Sequence, residues 1–145
     1  MIKSPGIPES APIIKLLREQ GIRVISEIEF AGRYATGKKI CITGSNGKTI
    51  VKEWLAELLS PEFNIVRSPR SYNSQIGNPL SVWLMDDRFN LALFEAGISK
   101  PGEMEKLESI LRPDIGLFTH LGTAHLENFK SEKELVEEKF KLFIN

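Results

Sequence analysis

Thr43-Gly44-Ser45-Asn46-Gly47-Lys48-Thr49 is the stretch that decides how this chain is read. An apolar run, Lys39-Ile40-Cys41-Ile42, leads into it, and a segment with helical periodicity follows. A strand that turns through two glycines into a helix aims successive backbone N–H groups and the positive end of the helix dipole at one point. Lys48 adds a point charge there, and the Thr49 hydroxyl is placed to hold a magnesium ion. These are the parts of a phosphate cradle, with Gly44, Ser45, Asn46, Gly47, Lys48 and Thr49 as its nucleotide-binding positions. The strict G-x-x-x-x-G-K-[ST] spacing would put its first glycine at position 42, where this chain has Ile42.

Outward from the loop the rhythm is strand, helix, strand, helix. A strand is expected over 40–43 and a helix from Lys48 to Leu59, with Val51, Trp54, Leu55, Leu58 and Leu59 on its buried stripe. A second strand is read at 63–67 and a second helix at 80–85. Leu91-Ala92-Leu93-Phe94 is a continuous apolar run of strand length, the mark of a strand covered on both faces. A helix follows at 103–111, stopped before Pro113, and 115–118 reads as another buried strand. The last helix opens with a capping box, Ser131 and Glu134, and runs to about Phe143. Such alternation implies an α/β fold, a mainly parallel sheet with flanking helices and right-handed crossovers, of P-loop NTPase type.

Before the loop, residues 1–38 read as the end of one unit plus a linker. Ser4-Pro5-Gly6-Ile7-Pro8 is a rigid loop. A short helix follows with Ser10 as cap, Pro12 in the first turn and Gly21 past its end. A strand is expected at 23–26 and a further short helix at 27–34. Residues 39–145 are then a partial nucleotide-binding domain, truncated, since the chain stops at Asn145 without a turn signal.

With 145 residues, the chain can bury a real core. Its 19 basic residues balance 19 acidic ones, so no net field favours nucleic acid or an anionic membrane. Any anion must be captured by a local site. A single cysteine, Cys41, excludes an internal disulfide and sits in an apolar strand as a small hydrophobe. The start lacks the basic and apolar regions of a signal peptide, and no apolar run reaches the length of a membrane span. The expectation is a cytoplasmic protein.

In an open parallel sheet, ligands bind at the carboxyl ends of the strands. The residue past each strand therefore shows what converges: the cradle, then Glu95, then Thr119, His120 and His125. A carboxylate and an imidazole beside a triphosphate can ligate magnesium or manganese. An acid ending a wholly apolar strand needs a partner. A metal is favoured over a lysine partner for Glu95. His120 reads as structural. Lys139 lies four residues after Leu135 and four before Phe143, on the inward stripe; on spacing alone it is a snorkelling lysine with its stem on the core. Asn73, Ser74 and Gln75, in a polar stretch after the second strand, either bind a phosphate or sugar or only build the turn.

Together these residues resemble the Mur ligases, ATP-dependent amide-forming enzymes of peptidoglycan precursor synthesis. The loop carries the resemblance, with Arg67-Ser68-Pro69-Arg70-Ser71-Tyr72-Asn73-Ser74-Gln75-Ile76-Gly77 and Glu95-Ala96-Gly97-Ile98-Ser99-Lys100-Pro101-Gly102-Glu103. From residue 43 onward the likeness is to the MurF branch, which adds D-alanyl-D-alanine. Ser4-Pro5-Gly6-Ile7-Pro8 with Glu27-Ile28-Glu29 resembles the MurD branch, which adds D-glutamate. The two meet at the loop, the pattern of a chimera or recombined fragment.

The resemblance implies that Lys48 contacts the terminal phosphates and Thr49 binds magnesium. Glu95 and His125 are further metal ligands by the same likeness. Lys139 is the lysine the family carbamylates, a ligand for the metal as well, which reverses its reading from spacing. Lys48, His125 and Lys139 are thus the catalytic set, and Ser4, Asn73, Ser74 and Gln75 the substrate-binding one. Ile50 departs from the second threonine of many members. ATP and Mg2+ are the implied cofactors, and a UDP-muramoyl peptide with an amino acid or dipeptide the substrates. No nucleic acid or membrane partner is expected, and an open sheet edge offers a route to a homo-oligomer. The other readings are a MurD-type D-glutamate ligase, a folylpolyglutamate synthase-like ligase, and a nucleotide-binding or inert fragment without catalysis.

Overall fold

The computed structural model describes residues 1–3, 7–70, 72–122 and 124–144. Ser4, and with it the substrate role assigned to it, lies outside the described residues, as do Pro5 and Gly6 of the rigid loop and Ser71 of the quoted stretch.

The first elements are small. Strands β1 (Ile2–Lys3) and β2 (Ile25–Ser26) pair in parallel. Between them runs α1 (Pro12–Glu19), whose proline occupies the first turn as expected, but Ala11, not Ser10, is the N-cap and makes no side-chain bond. Helix α2 (Glu27–Tyr34) has the bounds read from sequence and is capped by Ser26, whose Oγ accepts the Glu29 N–H at 3.0 Å. It packs against two later helices, α4 (Gly77–Trp83) and α5 (Glu103–Leu111).

The main sheet holds, among the described residues, β3 (Lys38–Thr43), β4 (Ile65–Arg67), β5 (Leu91–Glu95) and β6 (Ile115–Phe118), all parallel in the order β4-β5-β3-β6. Helix α3 (Lys48–Leu59) follows β3, and α6 (Glu132–Phe140) closes the chain with a 3-10 turn at Lys141–Phe143. Register fixes the site. Ile42 lies opposite Glu95 and Thr43 opposite Phe118, so Gly44, Glu95 and Thr119 emerge at one edge, as the strand reading requires.

Every residue of β5 is buried, and its side chains alternate between two cores. Ala92 and Phe94 join Cys41, Met104, Leu107, Leu135 and Leu142, whereas Leu91 and Leu93 pack with Ala56 and the partly buried Leu55 and Leu59. Cys41 is fully enclosed, and burial pushes its thiol up, which leaves it a small inert hydrophobe.

Further expectations need correction. First, β6 is not the buried strand read from sequence: it lies at the sheet edge, pairing with β3 alone among the described residues, with Ile115 47% exposed and the rest half-buried. A Cβ at Gly116 would meet the Phe143 ring at 2.0 Å, so any larger residue there displaces that ring. Second, Trp54 and Leu58 leave the predicted stripe of α3 and stand 65% and 74% exposed, with Ile50 on the same outer line. Residues spaced by four share a helix face, so the sheet side belongs to Lys48, Lys52 and Ala56. Third, β4 starts at Ile65 because the Phe63 N–H turns back to the Leu59 carbonyl at 3.0 Å. Fourth, α4 lies earlier than 80–85, and α6 ends at Phe140.

Ser131 caps α6 as read, its Oγ accepting the Glu134 N–H at 3.2 Å, but the Glu134 carboxylate turns to the Lys130 N–H and leaves the box half made. Ser131→Ala is expected to lower stability by about 1 kcal/mol, read from urea denaturation; an unchanged midpoint would mean that the cap contributes nothing. No helix among the described residues is long and apolar enough to cross a membrane.

Candidate nucleotide site

The loop between β3 and α3 is held by the return from β6. Gly44 has φ 135° and lies against Thr119, whose Oγ1 a Cβ would meet at 2.3 Å. Gly47, at φ 85°, is the left-handed N-cap from which α3 starts. The Thr119 hydroxyl donates to the Asn46 carbonyl at 2.6 Å. The Ser45 N–H donates to the His120 carbonyl at 2.7 Å, and the Ser45 Oγ exchanges bonds of 2.8 and 2.9 Å with Gly122. His120 thus serves the loop through its backbone, with an exposed side chain.

Two lysines converge on one carbonyl oxygen. Lys48 Nζ donates to Gly44 O at 2.9 Å and to Ser45 O at 3.1 Å. Lys139 Nζ, from α6, reaches the same Gly44 oxygen at 3.4 Å. Only 2% of Lys139 is exposed, so it is inward and not snorkelling. Burial, and secondarily the Lys48 charge, bring its amine down to about 8. Burial also lowers Lys48, against the opposing attraction of Glu95.

Glu95 is fully buried at the end of β5. Its Oε2 accepts from the Thr49 hydroxyl at 3.0 Å. Its Oε1 lies 2.9 Å from Lys52 Nζ as an ion pair, yet receives no aligned hydrogen bond among the described residues. The lysine partner set aside from sequence is therefore present. Lys52 was not singled out as a site residue; its spacing of four from Lys48 is the signal that places it on the same face.

A cavity of about 220 Å³ opens beside the loop, lined by Lys48, Lys139, His125, Asn73, Ser74 and Gln75 among others. An adjoining cleft carries Thr49 and Glu95 and shares Ser45, Lys48 and Asn73 with it. The three expected metal ligands are thus divided: His125 and Lys139 face the cavity, and Glu95 faces the cleft with Thr49. His125 is exposed, at φ 65°. Among the described residues no three His, Cys, Asp or Glu side chains gather into a metal cluster.

Residues 73–75 are tied into the turn by hydrogen bonds. The Ser74 Oγ accepts the Gly77 N–H at 3.2 Å, the Asn73 carbonyl accepts the Gly97 N–H at 2.7 Å, and Gln75 Nε2 donates to the Glu103 carbonyl at 2.8 Å. They build the turn, and they also line the cavity.

A strand, a two-glycine turn and a helix bearing lysine and threonine, beside a buried glutamate and an inward lysine, agree with what comparison finds. Residues 42–145 match the family model of the Mur ligase middle domain. The chain belongs to the Mur ligase family. It is 38% identical over 130 residues to the UDP-N-acetylmuramoyl-tripeptide–D-alanyl-D-alanine ligase of Borreliella burgdorferi, covering 90% of this chain and 26% of that one. It is 34% identical over 147 residues to the UDP-N-acetylmuramoylalanine–D-glutamate ligase of Bacteroides fragilis, covering all of this chain and 31% of that one. Among solved structures, MurF from Acinetobacter baumannii superimposes with a TM-score of 0.75 at 26% identity, covering 79% of this chain and 26% of that chain. This Mur ligase chain spans about a quarter to a third of the length of the curated relatives it matches.

Proposed function

We propose that this chain is the ATP-binding part of an amide-forming ligase acting on a UDP-muramoyl peptide, of the kind that adds D-alanyl-D-alanine. The observation that carries this reading is the loop itself: two glycines at positive φ, Lys48 and the start of α3, all at the carboxyl edge of the sheet. In such a reaction ATP converts a substrate carboxylate to an acyl phosphate, and an incoming amine displaces the phosphate. Lys48 neutralises charge on the transferring phosphoryl group, while the backbone N–H groups orient it.

The residues present fit a magnesium ion. Glu95 offers a buried carboxylate whose Oε2 lies 3.0 Å from the Thr49 hydroxyl, two oxygen donors side by side in the cleft. Hard oxygen donors of this kind, completed by water and substrate phosphate, suit Mg2+. Bound there, the ion would supply further charge neutralisation at the phosphates. Lys139, with its lowered amine, is the position for a carbamate, and His125 borders the same cavity as a second polar group. Asn73, Ser74 and Gln75, which line the same cavity, would meet the substrate there.

A second reading, a nucleotide-binding module without ligation, is favoured by the division of the expected metal ligands, Glu95 lining the cleft while His125 and Lys139 line the cavity. Calorimetric titration of ATP with Mg2+ tests binding. Phosphate release in the presence of UDP-muramoyl tripeptide and D-alanyl-D-alanine then separates ligase from binder, and D-glutamate with its acceptor tests the MurD-type specificity. Absence of ATP binding under both conditions would refute both readings. Self-association through the outer edge of β4 or β6 is part of the same proposal and is read by light scattering.

A further inference from the structure

Lys52 has no solvent exposure, although lysine is among the residues least often buried. A buried ammonium needs an acceptor for each N–H. Lys52 donates to two carbonyls, Ser68 at 2.7 Å and Arg70, and its charge is paired with Glu95 Oε1 at 2.9 Å. One amine therefore ties three segments together, namely α3, which begins at the phosphate loop, the turn after β4, and the carboxyl end of β5.

Both other partners matter to the site. Arg70 stands at φ 49°, a backbone conformation that favours glycine, and its carbonyl is fixed by Lys52. That turn leads to Asn73, which lines both the cavity and the cleft. With Oε1 held by Lys52, the Glu95 carboxylate has its other oxygen on Thr49. Outward from Lys52, Glu53 lies 3.3 Å away and is itself paired with Arg67 at 2.7 Å, so charges alternate from the surface to the loop.

We propose that Lys52 is a positioning residue for a divalent-cation site on Glu95 and Thr49: it fixes the rotation of the buried carboxylate and holds the neighbouring turn that shapes the cleft. The proposal rests on the nucleotide-and-metal reading above. Lys52 touches neither nucleotide nor metal in this role; it acts through Glu95, as groups that orient a ligand commonly do.

The test is Mn2+ binding to the 145-residue chain with ADP, read from loss of the free-ion electron paramagnetic resonance signal. Lys52→Met is expected to weaken Mn2+ binding by about tenfold to a hundredfold, with metal-free ADP affinity unchanged. Lys52→Arg, which keeps the charge, is expected to recover most of the loss. Where Lys52→Met loses its circular dichroism spectrum, Lys52→Gln is read against the same outcomes. Wild-type Mn2+ affinity in a folded neutral variant overturns the proposal, and so does an equal loss of metal-free ADP binding. A wild-type chain that binds no Mn2+ with ADP instead overturns the nucleotide-and-metal reading, and the role of Lys52 with it.

Discussion

Lys48→Ala is expected to weaken ADP binding at least about a hundredfold, since two hydrogen bonds to a charged phosphate contribute roughly 3 kcal/mol together. The fold should be kept, because among the described residues the amine bonds only to the Gly44 and Ser45 carbonyls of its own loop. Calorimetric titration gives the affinity, and circular dichroism checks that the helices remain. Full affinity in the variant would show that the loop does not cradle phosphate. Gly44→Val should lose binding by a different route, because a side chain there runs into Thr119 and the His120 backbone.

The second large effect belongs to Lys139. Only a neutral amine adds carbon dioxide, and an amine near 8 is about one-tenth neutral at pH 7 and about half neutral at pH 8. With bicarbonate, mass spectrometry of the intact chain should show one added carbon dioxide whose occupancy climbs over that interval and which Lys139→Met abolishes. No adduct at any pH would remove the carbamate from the reading of this site.

Stability supplies an independent check. The folded amine sits at about 8, below its ordinary value of 10.5, so between those limits the unfolded chain binds more protons. Stability attributable to Lys139 therefore rises as pH climbs through that window, and below about 8 the cost of burying its charge is present in full. Lys139→Met should accordingly be more stable than wild type at neutral pH, with the gap closing toward pH 10.5. A gap independent of pH would assign the difference to packing.

The sheet was legible because its strands announce themselves. The run at 91–94 reads as buried on both faces and is so, and the 103–111 and 48–59 helices have the bounds their periodicity implies. Edges were harder. Nothing in Ile115-Gly116-Leu117-Phe118 distinguishes a central strand from one flanked on a single side, since that depends on which strand pairs with it. The outward face of α3 was misread for a related reason: Ile50, Trp54 and Leu58 are apolar but lie opposite the sheet. Lys52 was missed because a buried charge is recognisable only by its acceptors, and two of these are backbone carbonyls that no side-chain pattern encodes. The inward position of Lys139 was partly visible, since its spacing from Leu135 placed it on the buried side.

The shared hold of Lys48 and Lys139 on the Gly44 oxygen has a kinetic consequence. In a chain of zero net charge, two cations crowded at one point make a small well of positive potential in an otherwise indifferent field. Such a well attracts an anion only at short range, because salt screens charge beyond about 8 Å at physiological ionic strength. Nucleotide capture should therefore slow as salt is added, although the overall charge of the molecule gives no reason for it.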